Sequence, residues 1–160
     1  MHFPKIKFEK KPIPTIKFKQ LDKKAELPQR GSNFAAGYDL VAVTGNHIIS
    51  IKAGETVKVK TGLAIEIPDG YFGAIFARSG FATKLGLRPA NCVGVIDSDY
   101  RGEIIVALHN DSNVDRYVVT GDRIAQLIIM PFLTFNQVWS TDLTNTDRGS
   151  GGFGSTGRNW

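Results

Sequence analysis

Sulfur chemistry is nearly absent from this chain. Cys92 is the only cysteine in 160 residues, which excludes an intramolecular disulfide and any cysteine-based metal cluster. Long hydrophobic runs are missing as well. No apolar stretch reaches the roughly 18 residues that a membrane-spanning helix needs, so no membrane partner is expected. The opening residues, MHFPKIKFEKKPIP, scatter charges among the apolar positions and lack the continuous hydrophobic segment of a secretory signal. The expected compartment is the cytoplasm. Amphipathic helices are scarce too: the one short candidate is SGFATKLG, 79–86, with Ser79 placed to act as its N-cap. Disorder throughout is excluded by composition, since 42% of residues are hydrophobic and 22% charged, the balance of an ordinary globular protein. The length suits a single domain with a sizeable core.

What the chain does have is alternation. TIKFKQL (15–21), HIISIK (47–52), ETVKVK (55–60), LAIEIP (63–68), GAIFA (73–77), EIIVALHN (103–110), RYVVT (116–120) and RIAQLIIMPFL (123–133) alternate or cluster β-branched residues. Turn signals such as Pro68-Asp69-Gly70 and Thr120-Gly121-Asp122 separate them. Short strands at this spacing predict an all-β sandwich or barrel.

The net charge is +5, and it is concentrated at one end. Lys5, Lys7, Lys10, Lys11, Lys17, Lys19, Lys23 and Lys24 fall at the start of the chain. Such a cluster can bind phosphates. Without interleaved aromatic residues beyond Phe8 and Phe18, it reads as a solvated basic arm, and no nucleic-acid partner is expected. The other end differs in kind. Gly149, Gly151, Gly152, Gly154 and Gly157 sit among few aliphatic residues, a composition too poor in burial to order itself. The expected organisation is a basic arm over 1–14, a β domain over 15–143, and a flexible glycine-rich tail over 144–160.

Five segments break the strand pattern with polar groups: AAGYDL (35–40), ARSGFATK (77–84), GVIDSDYRGEI (94–104), GDRIAQL (121–127) and RGSGGFGSTG (148–157). Each alone is most simply a turn, a solvated charge or, for Gln126, a partner for a buried backbone group. Together they contain what a nucleoside triphosphate site requires. Arg78 and Arg148 can neutralise phosphate oxygens through a planar fork. Ser79, Ser155, Thr156 and Gln126 offer neutral hydrogen bonds, and glycines let backbone N–H groups approach closely. Asp39 can hold the waters of a hard cation such as magnesium, and Phe153 is suited to stack on a base.

These five motifs, in this order and spacing, resemble the homotrimeric deoxyuridine triphosphatase (dUTPase) family over roughly residues 15 to 157. The resemblance implies a jelly-roll-like β-barrel, a trimer whose active sites are shared between chains, and hydrolysis of dUTP to dUMP and pyrophosphate with Mg2+. It implies that Asp97 activates the attacking water and that Tyr100 packs under the deoxyribose. The uracil and deoxyribose pocket would comprise Asn91, Gly94, Val95, Ile96, Asp97, Tyr100 and backbone near Ile105. Arg78, Ser79, Gly80 and Gln126 would hold phosphates, and Asp39 would hold magnesium waters. From the tail, Arg148, Ser155 and Thr156 would reach the phosphates, while Phe153 and Gly154 would cover the base. Phe81 stands where an aliphatic residue is common after Arg-Ser-Gly, and Asp99 is expected to serve only the local hairpin. Two other readings compete: a dCTP deaminase of the same fold, with or without a triphosphatase step, and a regulatory protein that binds a partner.

Overall fold

The structure, a computed structural model, describes residues 14–152. Residues 1–13 of the arm and the tail residues Phe153, Gly154, Ser155 and Thr156 lie outside the described residues. The strands are β1 (Lys17–Gln20), β2 (Gln29–Arg30), β3 (Tyr38–Val41), β4 (Ile49–Ile51), β5 (Thr56–Glu66), β6 (Tyr71–Phe76), β7 (Leu87–Pro89), β8 (Gly94–Ile96), β9 (Glu103–Asn110), β10 (Arg116–Val118) and β11 (Arg123–Pro131). One sheet has the order β1-β5-β9-β7, a second β2-β3-β11-β6-β8, and β10 pairs with β4 apart from both. All the pairings are antiparallel. The arrangement is jelly-roll-like, as expected, but the hydrogen-bond ladder does not close into a barrel.

Alternation explains which faces meet. Along β9, Ile104, Val106, Leu108 and Asn110 are buried while Ile105 is exposed. The inward side chains join Val59 and Ile65 of β5, Leu40 of β3, Ile75 of β6 and Leu127 of β11 in one core. Burying each of these large side chains contributes roughly 1.5–3 kcal/mol, so the core faces hold the fold and the sheet ends can carry polar chemistry. Asn110 is fully buried yet satisfied: its Nδ2 donates to Ile51 O at 2.9 Å and to Val114 O at 2.8 Å.

Two sequence expectations need correction. ETVKVK and LAIEIP are not separate strands but one, β5, whose pairing with β9 is interrupted between Lys60 and Ala64. Gly62, at φ 67°, lies in that irregularity and supplies the left-handed backbone that other residues resist. The short helix is a π-helical turn over Phe81–Leu85 with no side-chain cap. Ser79 is therefore not an N-cap; its carbonyl instead accepts from Thr83 Oγ1 at 2.7 Å. Gly86, at φ 68°, ends the turn.

Candidate active site

The GVIDSDYRGEI segment becomes strand β8, a turn and the start of β9. Asn91, Gly94, Val95, Ile96, Asp97, Tyr100 and Ile105 all line one cleft of about 210 Å³, together with Ile75, Pro89, Glu103, Ile104, Val106 and Ala107. The seven residues expected around the base thus share one concavity. Val95 and Ile105 remain exposed despite their apolar side chains, so the cleft offers a hydrophobic rim. Asp97 is exposed beside it; among the described residues, the hairpin engages Asp97 through its backbone carbonyl, which accepts from Tyr100 N at 3.1 Å. Its carboxylate is left for other work.

Tyr100 is held at its hydroxyl end. Its hydroxyl donates to Glu103 O at 3.0 Å, and its ring lies across Gly102, where a Cβ would sit 2.6 Å from Tyr100 Cζ. A larger residue there would displace the tip of the Tyr100 ring. Glu103, which the sequence did not single out, ties the hairpin to β5: its Oε1 accepts from Gly62 N at 2.9 Å, and Lys60 Nζ lies 3.8 Å from Oε2. The approach to the cleft is set by Cys92, the one non-glycine residue with positive φ (61°) among those described. Arg88 braces this corner. It donates to both carboxylate oxygens of Asp111, at 2.6 and 3.0 Å, and to Pro89 O at 3.3 Å. The Asp111 hydrogen bond raises the Arg88 pKa.

A second cluster forms around Asp39. Arg78 Nε donates to Asp39 Oδ1 at 2.7 Å, and Arg123 Nη1 to Asp39 Oδ2 at 3.3 Å. Arg78 Nη1 also donates to Arg123 O at 3.2 Å. Gln126 pairs in register with Asp39 on one side and Phe76 on the other, and its Nε2 donates to Ala77 O at 2.8 Å. The bland reading of Gln126 as a partner for backbone is thus what its amide nitrogen does. Asp39, expected to hold metal waters, here has both oxygens engaged by guanidinium groups. Ser79 and Gly80 are exposed beside Arg78. Arg148 is exposed in a turn over residues 147–150, and its carbonyl accepts from Gly151 N at 3.0 Å.

The two clusters stand apart in one chain. Ile96 pairs with Gly73, which puts Asp97 near the Phe72 end of β6; Asp97 and Phe72 line one depression. Arg78 follows the opposite end of that strand. At roughly 3.3 Å per residue, the run from Phe72 to Arg78 spans about 20 Å.

An all-β fold with a base-sized cleft near one end of a strand and a guanidinium cluster at the other fits a class of proteins that bind nucleotide polyphosphates. The comparisons narrow the class. A family model described as dUTPase matches residues 23–157. The deoxyuridine 5'-triphosphate nucleotidohydrolase of Desulfitobacterium hafniense is 49% identical over 143 residues, covering 89% of this chain and 94% of that protein. The protein of the same name from Paramecium bursaria Chlorella virus 1 is 44% identical over 139 residues, covering 87% and 95%. Among solved structures, the Staphylococcus bacteriophage 80alpha dUTPase with dUpNHpp matches with a TM-score of 0.83 at 28% identity, covering 91% of this chain and 100% of that one. A phage phi11 dUTPase variant, described with a structural Mg(II) ion, shares the fold at a TM-score of 0.74 and 23% identity, covering 82% of this chain and 100% of that one. The chain belongs to the dUTPase family.

Proposed function

We propose that this protein hydrolyses dUTP to dUMP and pyrophosphate, limiting uracil entry into DNA and supplying dUMP. The observation that carries the reading is the convergence of Asn91, Asp97, Tyr100 and the β8–β9 backbone on one small cleft. Backbone donors and acceptors cannot rotate to suit a cytosine amino group, so such a cleft selects the uracil edge. Asp97 takes a proton from water, whose oxygen attacks the α-phosphorus. The bond from that phosphorus to the α–β bridging oxygen breaks, and its electron pair leaves with pyrophosphate. Positioning and charge neutralisation by Arg78, Ser79, Gly80, Gln126 and, from the tail, Arg148, Ser155 and Thr156 supply the remaining catalysis. Phe153 and Gly154 cover the base.

A magnesium ion fits this site only as a passenger of the nucleotide. No group of three or more His, Cys, Asp or Glu residues is placed to hold a metal among the described residues, and Asp39 is a single carboxylate engaged by two arginines. A hard cation that keeps its waters and takes phosphate oxygens suits that donor set. When bound, Mg2+ neutralises phosphate charge, and Asp39 would hold its waters.

Shared active sites account for the separation along β6. A backbone span of about 20 Å is long for one nucleotide to bridge between Asp97 and Arg78 of the same chain, which favours a site shared between copies. A second copy can supply the missing half. A homotrimer also gives the segment after β11 a surface to cover. Leu133, Phe135, Val138, Trp139 and Leu143 are almost wholly exposed in the single chain. The cytoplasm is the compartment this reading favours; no helix among the described residues is long and apolar enough to cross a membrane.

The deaminase alternative is disfavoured by the cleft's carboxylates. Besides Asp97 the lining holds only Glu103, and Glu103 is committed to Gly62 N. The test of the whole reading is pyrophosphate release from dUTP, dTTP, dCTP and UTP with Mg2+. Selectivity for dUTP is expected, and equal hydrolysis of UTP would sink the uracil-cleft assignment. In the same assay Tyr100→Ala should raise UTP activity relative to dUTP, because the ring leaves no room for a 2′-hydroxyl.

Gly80 supplies a sharper check on the phosphate turn. Its φ is −64°, and a Cβ built there meets nothing within 4 Å. Nothing among the described residues asks for glycine there, whereas a phosphate resting on its backbone would. Gly80→Ala should keep or raise stability, by about 0.5–1 kcal/mol at most, yet lower kcat/KM for dUTP at least tenfold. Undiminished kcat/KM would show that no phosphate approaches this backbone closely.

A further inference from the structure

We infer that Arg88 is a positioning residue for the base: forked on Asp111, it holds the strained turn at Cys92 that aims Asn91 into the cleft. The inference rests on the dUTPase reading of the site. Pro89, Asn91 and Gly94 line the cleft, whereas Arg88 and Cys92 do not. Whatever Arg88 contributes therefore reaches a nucleotide through other residues. The Asn91 side chain is exposed, so the course of its backbone, more than packing, sets its direction. A Cβ at Gly94 would lie 3.3 Å from Asn91 Nδ2, which places the amide over that glycine.

The backbone here is unusual. Val93 N donates to Asn91 O at 2.6 Å, an i to i+2 bond that closes a γ-turn with Cys92 at its centre. Cys92 has a φ of 61°. A γ-turn with positive φ at its centre is the rare, strained form, and a residue other than glycine keeps such a φ only where its surroundings enforce it. One guanidinium supplies the enforcement. Arg88 Nε and Nη2 donate to the two oxygens of Asp111, at 2.6 and 3.0 Å, which fixes the plane of the fork. Nη1 then meets the turn, donating to Pro89 O at 3.3 Å and lying 3.8 Å from Cys92 Sγ. Cys92 N donates to the same Pro89 carbonyl at 3.1 Å, so that oxygen ties the arginine to the turn. Asp111 is held from behind, because its N–H donates to Gly86 O at 2.8 Å. On the other flank, Ala90 N donates to Ala107 O of β9 at 2.7 Å. Asn91 sits between these two anchors, Ala90 before it and Cys92 after it. With side chains 36% and 44% exposed, the Arg88–Asp111 pair adds little to global stability. Its leverage is local.

Two inhibitors separate the base from the phosphates. In the full chain, dUMP and inorganic tripolyphosphate are measured against dUTP hydrolysis for the unmodified protein, Arg88→Ala, Asn91→Ala and the double variant. Arg88→Ala should raise the KM for dUTP and the dUMP inhibition constant about tenfold, the loss expected for one misdirected hydrogen bond. Tripolyphosphate inhibition should stay within about twofold and kcat within about threefold, since a contact made equally in ground and transition states changes KM alone. In the double variant, Arg88→Ala should add less than about twofold to the effect of Asn91→Ala, because residues that act as one unit are not additive. Arg88→Lys keeps the charge but cannot fork Asp111 and reach Pro89 O together. It should show the same selective loss in smaller measure, and it decides by the same comparisons if Arg88→Ala does not fold. Unchanged dUMP inhibition would overturn the inference. So would effects that add in the double variant, or equal weakening of both inhibitors with a lowered melting temperature, the mark of a merely structural arginine. An unmodified protein that releases no pyrophosphate from dUTP would instead refute the reading beneath it.

Discussion

Asp97→Asn should reduce dUTP turnover by about 100- to 10,000-fold, the usual cost of losing a general base, while KM stays within a few-fold. The substitution keeps the shape of the side chain and removes its ability to take a proton. Nothing in the described fold depends on that carboxylate: the hairpin uses the backbone carbonyl of Asp97, and the side chain lies exposed at the cleft. Melting temperature should therefore hold steady. Single-turnover hydrolysis beside nucleotide binding by calorimetry measures both quantities. A near-normal rate with a lowered melting temperature would mean that Asp97 merely caps a turn. Asp99, two residues on, is the internal control: it lies in the shallow depression with Phe72 and Phe132 rather than in the base cleft, and Asp99→Asn should leave turnover nearly intact.

Deleting residues 148–160 should collapse dUTP hydrolysis while the oligomer persists. The deleted stretch carries Arg148, Phe153, Ser155 and Thr156 among glycines. Fixing such a chain costs roughly 1–2 kcal/mol per residue, so only strong contacts repay its ordering. An arginine on phosphate, an aromatic ring on the base and hydroxyls on phosphate oxygens would do so, and in doing so would expel water from the reacting centre. The apolar side chains before the cut have a separate task. Leu133, Val138 and Trp139 are exposed in the single chain and are retained by the truncation, so association should survive it. Analytical ultracentrifugation and the pyrophosphate assay together decide. Full activity after truncation would refute a catalytic tail, and loss of the oligomer would make it a tether between copies.

The sequence by itself determined most of the strands and nominated the candidate site residues. Alternation along EIIVALHN placed Ile104, Val106 and Leu108 inward because a strand's side chains alternate faces wherever one face is buried. Polar interruptions marked Asp39, Arg78, Asp97 and Gln126 because carboxylates and guanidiniums have no place in such runs unless something pairs with them. Tertiary structure decided the rest. Period-two patterning cannot say which strand neighbours which, nor where an extra residue enters a ladder. The bulge that brings Arg123 to Asp39, the irregularity in β5 and the tie from Glu103 to Gly62 were therefore invisible in the chain. The space that Gly102 leaves for Tyr100 is likewise a contact across a turn, not a pattern along it. The same limit hid the placement of Asp97 and Arg78 at opposite ends of β6. Motif order records which groups a site needs, but not how far apart a paired strand holds them.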